Sequence, residues 1–373
     1  MKVAMIGHKV VPSRRGGIEN VLTTLCPILV KKGAEVTCYN RKSDKIENEY
    51  IGTVKDGKYK GVKIKTAWTL DLKGAAAMIA SFTAAISAAF SKYDVVHFHA
   101  EGPCAALWIP KLFGKKCVAT VHGLDWQREK WGKGFASKYI KFGEKVLAKY
   151  ADEIIVLSQS AYDYFKETYN REAVIINNGI SKPAYKEADI ITKKYGIGKD
   201  DYICIVARLT YEKGVHYLID AYNRIETDKK LIIAGDTSDT DEYVELIKKK
   251  AEGNPNIIFT GFISGDELCE IYSNAYAVML PSDLEGMSLS LLEALSYDNA
   301  VLCSDIKENS SVAEEKAMYF KKSDVDDLTK KLQLLLSNPQ LKDEIKSGVS
   351  EFITGKYDWN NVAEKTLELY EKQ

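Results

Sequence analysis

Short runs of β-branched and apolar residues, each followed by a stretch of helical periodicity, recur along this chain and then start over, and this doubled alternation limits the fold more than any other feature. The first series is Val3 to Ile6, Glu35 to Tyr39, Val95 to His99, Lys116 to Val121, Glu153 to Leu157 and Val174 to Ile176. The second is Tyr202 to Ala207, Leu231 to Ala234, Ile257 to Thr260, Ala277 to Leu280 and Ala300 to Cys303. Strands alternating with helices build βαβ units and parallel sheets, so the fold class is α/β with two open parallel sheets. Between the series lies a polar, turn-rich stretch, Asn177 to Asp201, where few contacts should cross and a hinge could sit. Ligands of open parallel sheets bind beyond the carboxyl ends of the strands, and two such sheets facing each other would form one cleft.

Nothing at the level of charge draws the protein to nucleic acid: Lys plus Arg and Asp plus Glu both total 52, and no nucleic-acid module is recognisable. The seven cysteines are scattered without a C-x-x-C pair and read as buried thiols of a cytoplasmic protein. Met1 to Val11 reads as the first strand, because its apolar run is broken by Gly7, His8 and Lys9 and lacks the small-residue cleavage site of a signal peptide. Gly74 to Phe90 carries no charge but is Ala-rich and short for a span, so it reads as a helix sandwiched between a sheet and the neighbouring domain.

The most informative segment is Pro281 to Leu295 (PSDLEGMSLSLLEAL), in which a strand ends, a turn carries Glu285 and Gly286, and a helix begins near Ser288. Glu293 then lies on the second helical turn, and the amides of Gly286, Met287, Ser288 and Leu289 are helix-start donors for anionic or hydroxyl oxygens. Carboxylates here suit sugar hydroxyls; a cap and an ordinary helical Glu are the alternative. In Val206 to Val215 (VARLTYEKGV), Arg208 and Lys213 flank a strand-to-helix loop. Two cations at a strand's carboxyl end can neutralise a diphosphate leaving group, a solvated basic pair being the alternative.

Arg208 with Lys213, followed by Glu285-x7-Glu293, resembles the retaining GT-B glycosyltransferases of family 4. The resemblance runs along nearly the whole chain: Gly16 and Gly17 (PSRRGGIEN) match the family's glycine loop, His122 with Gly123 (TVHGLDW) its active-site histidine, and Tyr357 to Tyr370 its last helix. HGLDWQREKW is similar to a subgroup of bacterial capsule, exopolysaccharide and rhamnosyl transferases. What the resemblance implies is a GT-B fold of two Rossmann-like domains facing a central cleft. Residues 1–185 would be the acceptor domain, 186–356 the donor domain, and 357–373 a helix crossing back. It further implies a donor, a UDP-sugar or dTDP-rhamnose, whose ribose hydroxyls donate to Glu293. Its diphosphate meets Arg208, Lys213 and the Gly17 amide, its sugar meets Glu285 and His122, and its base packs near Phe262. Many members have an aromatic residue and a Gly where this chain has Met287 and Ser288, which loosens any inference about the donor sugar.

The acceptor side is less defined. Arg14 and Arg15 beside the glycine loop, His99, Asp125 and Trp126 are its candidates, with structural or surface roles as the alternatives, and His97 reads as structural. Ten Lys or Arg residues fall between Lys111 and Lys149 against three acids, Asp125, Glu129 and Glu144. Lys138, Lys141, Lys145 and Lys149 follow one helical face, with Phe135, Tyr139, Phe142, Val146 and Tyr150 at similar spacing. This pattern suits an anionic bilayer or a polyprenyl-diphosphate-linked saccharide acceptor, and equally a solvated face backed by a core stripe. No metal or other cofactor is expected, since Asp239-Thr240-Asp241 and Asp324-Val325-Asp326 precede helices as caps do. A non-catalytic sugar-nucleotide-binding protein, an epimerase and a phosphorylase are the competing functions.

Overall fold

The computed structural model describes residues 1–42, 51–70, 75–127, 134–236 and 241–372. The chain divides into two compact units, Met1–Gly179 with Tyr357–Gln373, and Ile180–Lys356. Among the described residues the first unit holds an eight-stranded sheet of order β3-β4-β2-β1-β5-β6-β7-β8. The strands are β1 (Lys2–Ile6), β2 (Glu35–Arg41), β3 (Lys58–Tyr59), β4 (Val62–Ala67), β5 (Val95–His99), β6 (Lys116–Val121), β7 (Glu153–Val156) and β8 (Val174–Ile175). All pair in parallel except β3 with β4 at the edge. The central β5, VVHFH, is buried along its whole length, as a strand covered on both faces must be.

The second unit has a six-stranded parallel sheet of order β11-β10-β9-β12-β13-β14. Its strands are β9 (Tyr202–Val206), β10 (Lys230–Ala234), β11 (Ile257–Gly261), β12 (Ala277–Leu280), β13 (Val301–Ser304) and β14 (Met318–Phe320). Both sheets reverse direction of strand addition once, between β1 and β5 and between β9 and β12. The carboxyl ends of those pairs are where open parallel sheets form their ligand crevices.

Three sequence expectations need correction. The stretch from Asn177 to Asp201 is not an open linker past Gly179: residues from Ile180 belong to the second unit, and a helix forms over Ile190–Tyr195. Its start is anchored because Glu270 Oε2 accepts from the amides of Asp189 (3.0 Å) and Ile191 (3.1 Å). The helix Ala76–Ala89 packs its buried small residues, Ala80, Ser81, Ala84, Ala85 and Ala88, on the first sheet, but Ile86 and Phe90 on its outer side are exposed rather than covered. In the helix Phe135–Tyr150 the aromatic and apolar residues do not share one stripe. Val146 is buried and Tyr139 half-buried, while Phe135, Phe142 and Tyr150 stand outside with the lysines.

Candidate active site

In the second unit the candidate donor residues gather at the β9/β12 crevice. Strand β9 ends at Val206, Arg208 stands exposed two residues on, and a tight 3-10 turn over Tyr211–Lys213 carries the chain into the helix Val215–Tyr222. The junction is Gly214 at φ +65°, where a Cβ would lie 2.0 Å from the carbonyl oxygen of Pro281. Only glycine lets the turn press against the end of β12. The two loops are also tied by the Asp283 amide, which donates to the Glu212 carbonyl at 2.8 Å, and by the Tyr217 hydroxyl, which donates to Asp283 at 3.0 Å.

That fit brings Lys213 Nζ to 2.5 Å from Glu285 Oε1, with the side chains only 15% and 8% exposed. The cation proposed for a diphosphate and the carboxylate proposed for a sugar are therefore partners. Periodicity gives no hint of this, because 72 residues separate them. The helix after β12 runs over Leu289–Ser296. Ser288 is its cap, buried, with Oγ accepting from Leu291 N at 3.3 Å, and Met287 is buried beside it. The Ser288 side chain is thus engaged by its own helix backbone. Glu293 accepts from the Tyr272 hydroxyl at 3.5 Å, and the close carboxylate together with burial raises the phenol's pKa well above its ordinary value, burial being the larger cause. Phe262, half-buried after β11, follows Gly261 at φ +73°.

In the first unit the loops after β1, β5 and β6 carry the other candidates. Gly16 extends into the helix Gly17–Lys31, and Glu19 in its first turn is buried, accepting from the Lys9 amide at 2.7 Å. Arg14 is half-buried, Arg15 is exposed, and the Arg15 amide donates to Ser13 Oγ at 3.1 Å. His122, after β6, has Nε2 3.0 Å from Nδ1 of His99, the last residue of β5. His99 stacks on His97 at 4.3 Å between centroids, and His97 is held by the Tyr370 hydroxyl at Nδ1 (2.6 Å) and Thr120 Oγ1 at Nε2 (2.7 Å). His97, for which a structural role is the expectation, thus has both ring nitrogens bonded within the unit, and His99, a candidate for the acceptor with a structural role as the alternative, makes its contact with His122. Burial lowers His97 to about 3, with His122 adding to the effect, and drives His99 well below its ordinary value. His8, bonded to Asn40 at 3.0 Å, is lowered by burial to about 4.

Asp125 and Trp126 sit in a short 3-10 turn that two buried acids hold from beneath. Glu101 Oε1 accepts from the Asp125 amide at 3.0 Å, and Glu144 Oε2 accepts from Trp126 Nε1 at 2.9 Å. Burial, reinforced by Asp125, raises the Glu101 carboxyl well above its ordinary value. Sequence reading missed Glu101, Glu19 and Asn40. The clue available for Glu101 was an acid set in an otherwise apolar strand-end segment, HAEGPCAAL. Asp324 caps the helix Val325–Ser337 through the Asp327 amide, and Asp241 opens the helix Asp241–Ala251, while residues 239 and 240 lie outside the described residues. Among the described residues no group of three His, Cys, Asp or Glu side chains is arranged to hold a metal ion. No described helix is long and apolar enough to cross a membrane.

Residues 187–371 match the family described as Glycosyl transferases group 1, and residues 15–182 match Glycosyltransferase Family 4. An uncharacterised glycosyltransferase of Methanocaldococcus jannaschii is 25% identical over 99% of this chain and 98% of its own length. The alpha-maltose-1-phosphate synthase of Mycolicibacterium smegmatis is 24% identical over 100% and 99%. Among solved structures, a sucrose-phosphate synthase from Thermosynechococcus elongatus superposes with a TM-score of 0.81 at 19% identity, covering 99% of this chain and 98% of its own. Anabaena HepE, solved with UDP and glucose, gives 0.79 at 16% identity over 100% and 99%.

Proposed function

Since the chain belongs to the family 4 GT-B glycosyltransferases and is by that membership a glycosyltransferase, we propose that it moves a hexosyl group, with retention and without a metal, from a UDP-sugar or dTDP-rhamnose to a saccharide or polyprenyl-diphosphate-linked saccharide. The setting would be bacterial capsule or exopolysaccharide synthesis on the cytoplasmic side of the membrane, with peripheral contact through residues 111–149. The observation that carries the donor assignment is the Lys213–Glu285 pair between the loops after β9 and β12, with Arg208 exposed in the first of those loops. Breaking the bond to a nucleoside diphosphate builds negative charge on the leaving phosphate, and preorganised cations there stabilise the transition state more than the ground state. With the donor absent, Glu285 keeps Lys213 neutralised and in place. With the donor bound, the ammonium turns to the phosphate and the carboxylate is released to the sugar ring. On the first unit, His122 is a hydrogen-bonding group oriented by His99, suited to a sugar hydroxyl.

Calorimetric titration with UDP, dTDP and GDP in EDTA tests this reading. One nucleotide should bind, and Arg208→Ala and Lys213→Ala should each weaken it by roughly 10- to 100-fold, the worth of a charge-assisted hydrogen bond. Binding that needs a divalent cation, or that both variants retain, would overturn the donor site.

A further inference from the structure

We infer that the protein docks on an anionic lipid bilayer through one continuous outer face of the first unit, an apolar anchor on Ala76–Ala89 and Trp108–Leu112 flanked by the lysine stripe of Phe135–Tyr150. The inference deepens the peripheral contact proposed above and relocates it. Of the basic residues from 111 to 149, Lys111 is paired with Asp152, Lys115 Nζ donates to the Tyr93 carbonyl at 3.0 Å and Lys116 Nζ to the Leu369 carbonyl at 2.8 Å. Arg128, Lys130 and Lys133 lie outside the described residues. What points outward is the stripe Phe135, Lys138, Phe142, Lys145 and Lys149, spaced by three and four, with Lys141 next to it over the Trp126 ring.

The three helices form one layer. Their inner sides share the first sheet's core, through Ala84, Ala88, Leu107, Val146 and Leu147, and the Trp108–Leu112 helix touches the other two. On the outside of that layer Phe90 and Leu112 are each 74% exposed, and Ile86, Trp108 and Phe113 are exposed around them. The rings of Phe90 and Phe113 meet at 4.6 Å, so the anchor is one cluster and not scattered residues.

Charge selects the occupant. Across residues 75–92, 102–116 and 134–150 the one acid is Glu144, and it is buried, accepting from Trp126, from the Tyr164 hydroxyl at 2.8 Å and from Tyr169 at 2.5 Å. Those segments therefore present an apolar and cationic face, and the neighbouring carboxylate of Asp152 is neutralised by Lys111. A second copy meeting it by two-fold symmetry would set lysines against lysines. A surface of anionic headgroups over acyl chains satisfies both parts at once, lysines with lipid phosphates and aromatic side chains at the interface.

Sedimentation with vesicles tests the assignment, using phosphatidylcholine alone and with roughly 30% phosphatidylglycerol. The protein should partition to the anionic vesicles and not to the neutral ones. Lys138→Glu with Lys145→Glu should lower partitioning by about 25-fold or more, at about five-fold per lysine, and Phe90→Ser with Leu112→Ser should lower it at least ten-fold at low salt. Brominated acyl chains should quench Trp108, read as the part of the emission lost in Trp108→Phe. Partitioning that ignores lipid charge, or that the serine variants retain, would overturn the inference. So would a vesicle-free dimer, by light scattering, that the serine variants dissolve. Urea unfolding of the same variants, followed by the tryptophans of the first unit, shows that they are folded, and nucleoside diphosphate titration reports on the donor reading separately, so either proposal can fail alone.

Discussion

Titrating the protein from pH about 7.5 to about 5 should take roughly 4 kcal/mol from the stability of the first unit through two buried histidines, His97 and His8. Burial holds them at about 3 and about 4, against 6.5 in an open chain, so both are neutral when folded and the unfolded chain takes up a proton on each as pH falls. The sign follows from those depressed values. The stabilising contribution is complete above pH 6.5 and is lost as pH falls towards the folded values. At pH 5 each histidine costs about 2 kcal/mol, a large share of the roughly 5–15 kcal/mol that ordinary domains possess. His99 is shifted in the same direction. Urea unfolding followed by tryptophan fluorescence reads this unit selectively, because the five tryptophans, Trp68, Trp108, Trp126, Trp131 and Trp359, all belong to its sequence. His97→Gln loses the Tyr370 hydrogen bond and should start about 1 kcal/mol less stable. Between the two pH values, however, it should lose about 2 kcal/mol less than the native protein. Equal pH losses in the two proteins would refute the reasoning.

Glu144→Ala should destabilise the first unit by about 2–4 kcal/mol, since it removes the buried acceptor of an indole N–H and two phenol hydroxyls on half-buried residues, and its urea midpoint should fall further than that of Glu144→Gln. Gly143→Ala should prove nearly as damaging in the same melts: the added Cβ would stand 2.0 Å from the Glu101 carbonyl oxygen, so the helix must shift off the loop that positions Asp125.

The strands easiest to find by sequence reading were continuous apolar runs buried on both faces, such as β5 and β9, where composition and burial say the same thing. It missed β4, VKIKTA, whose lysines alternate with apolar residues at the exposed end of the sheet, and β14, too short at three residues to show a period. Each candidate donor residue could be picked out from its own strand-to-loop context, but the Lys213–Glu285 contact depends on how closely Gly214 meets Pro281, which no local pattern encodes. The Phe135–Tyr150 helix shows a further limit. Its 3.6-residue period identified an amphipathic segment, yet could not say that Glu144 turns inward to Trp126, Tyr164 and Tyr169, because those partners come from other elements.

The chain leaves the first unit at Gly179 and re-enters it at Tyr357, and Gly179 sits so close to the Trp359 ring that a Cβ there would be 2.5 Å from it. The helix Trp359–Glu371 then packs against Gly17–Lys31 and delivers Tyr370 to His97. A ribosome adding about 5–20 residues per second needs on the order of ten to thirty-five seconds to make the intervening Ile180–Lys356. Throughout that interval the nascent first unit has its strands but lacks its closing helix, so an apolar strip stays open to chaperones and to other nascent chains. The second unit, contiguous in sequence, can complete itself first even though it is synthesised later.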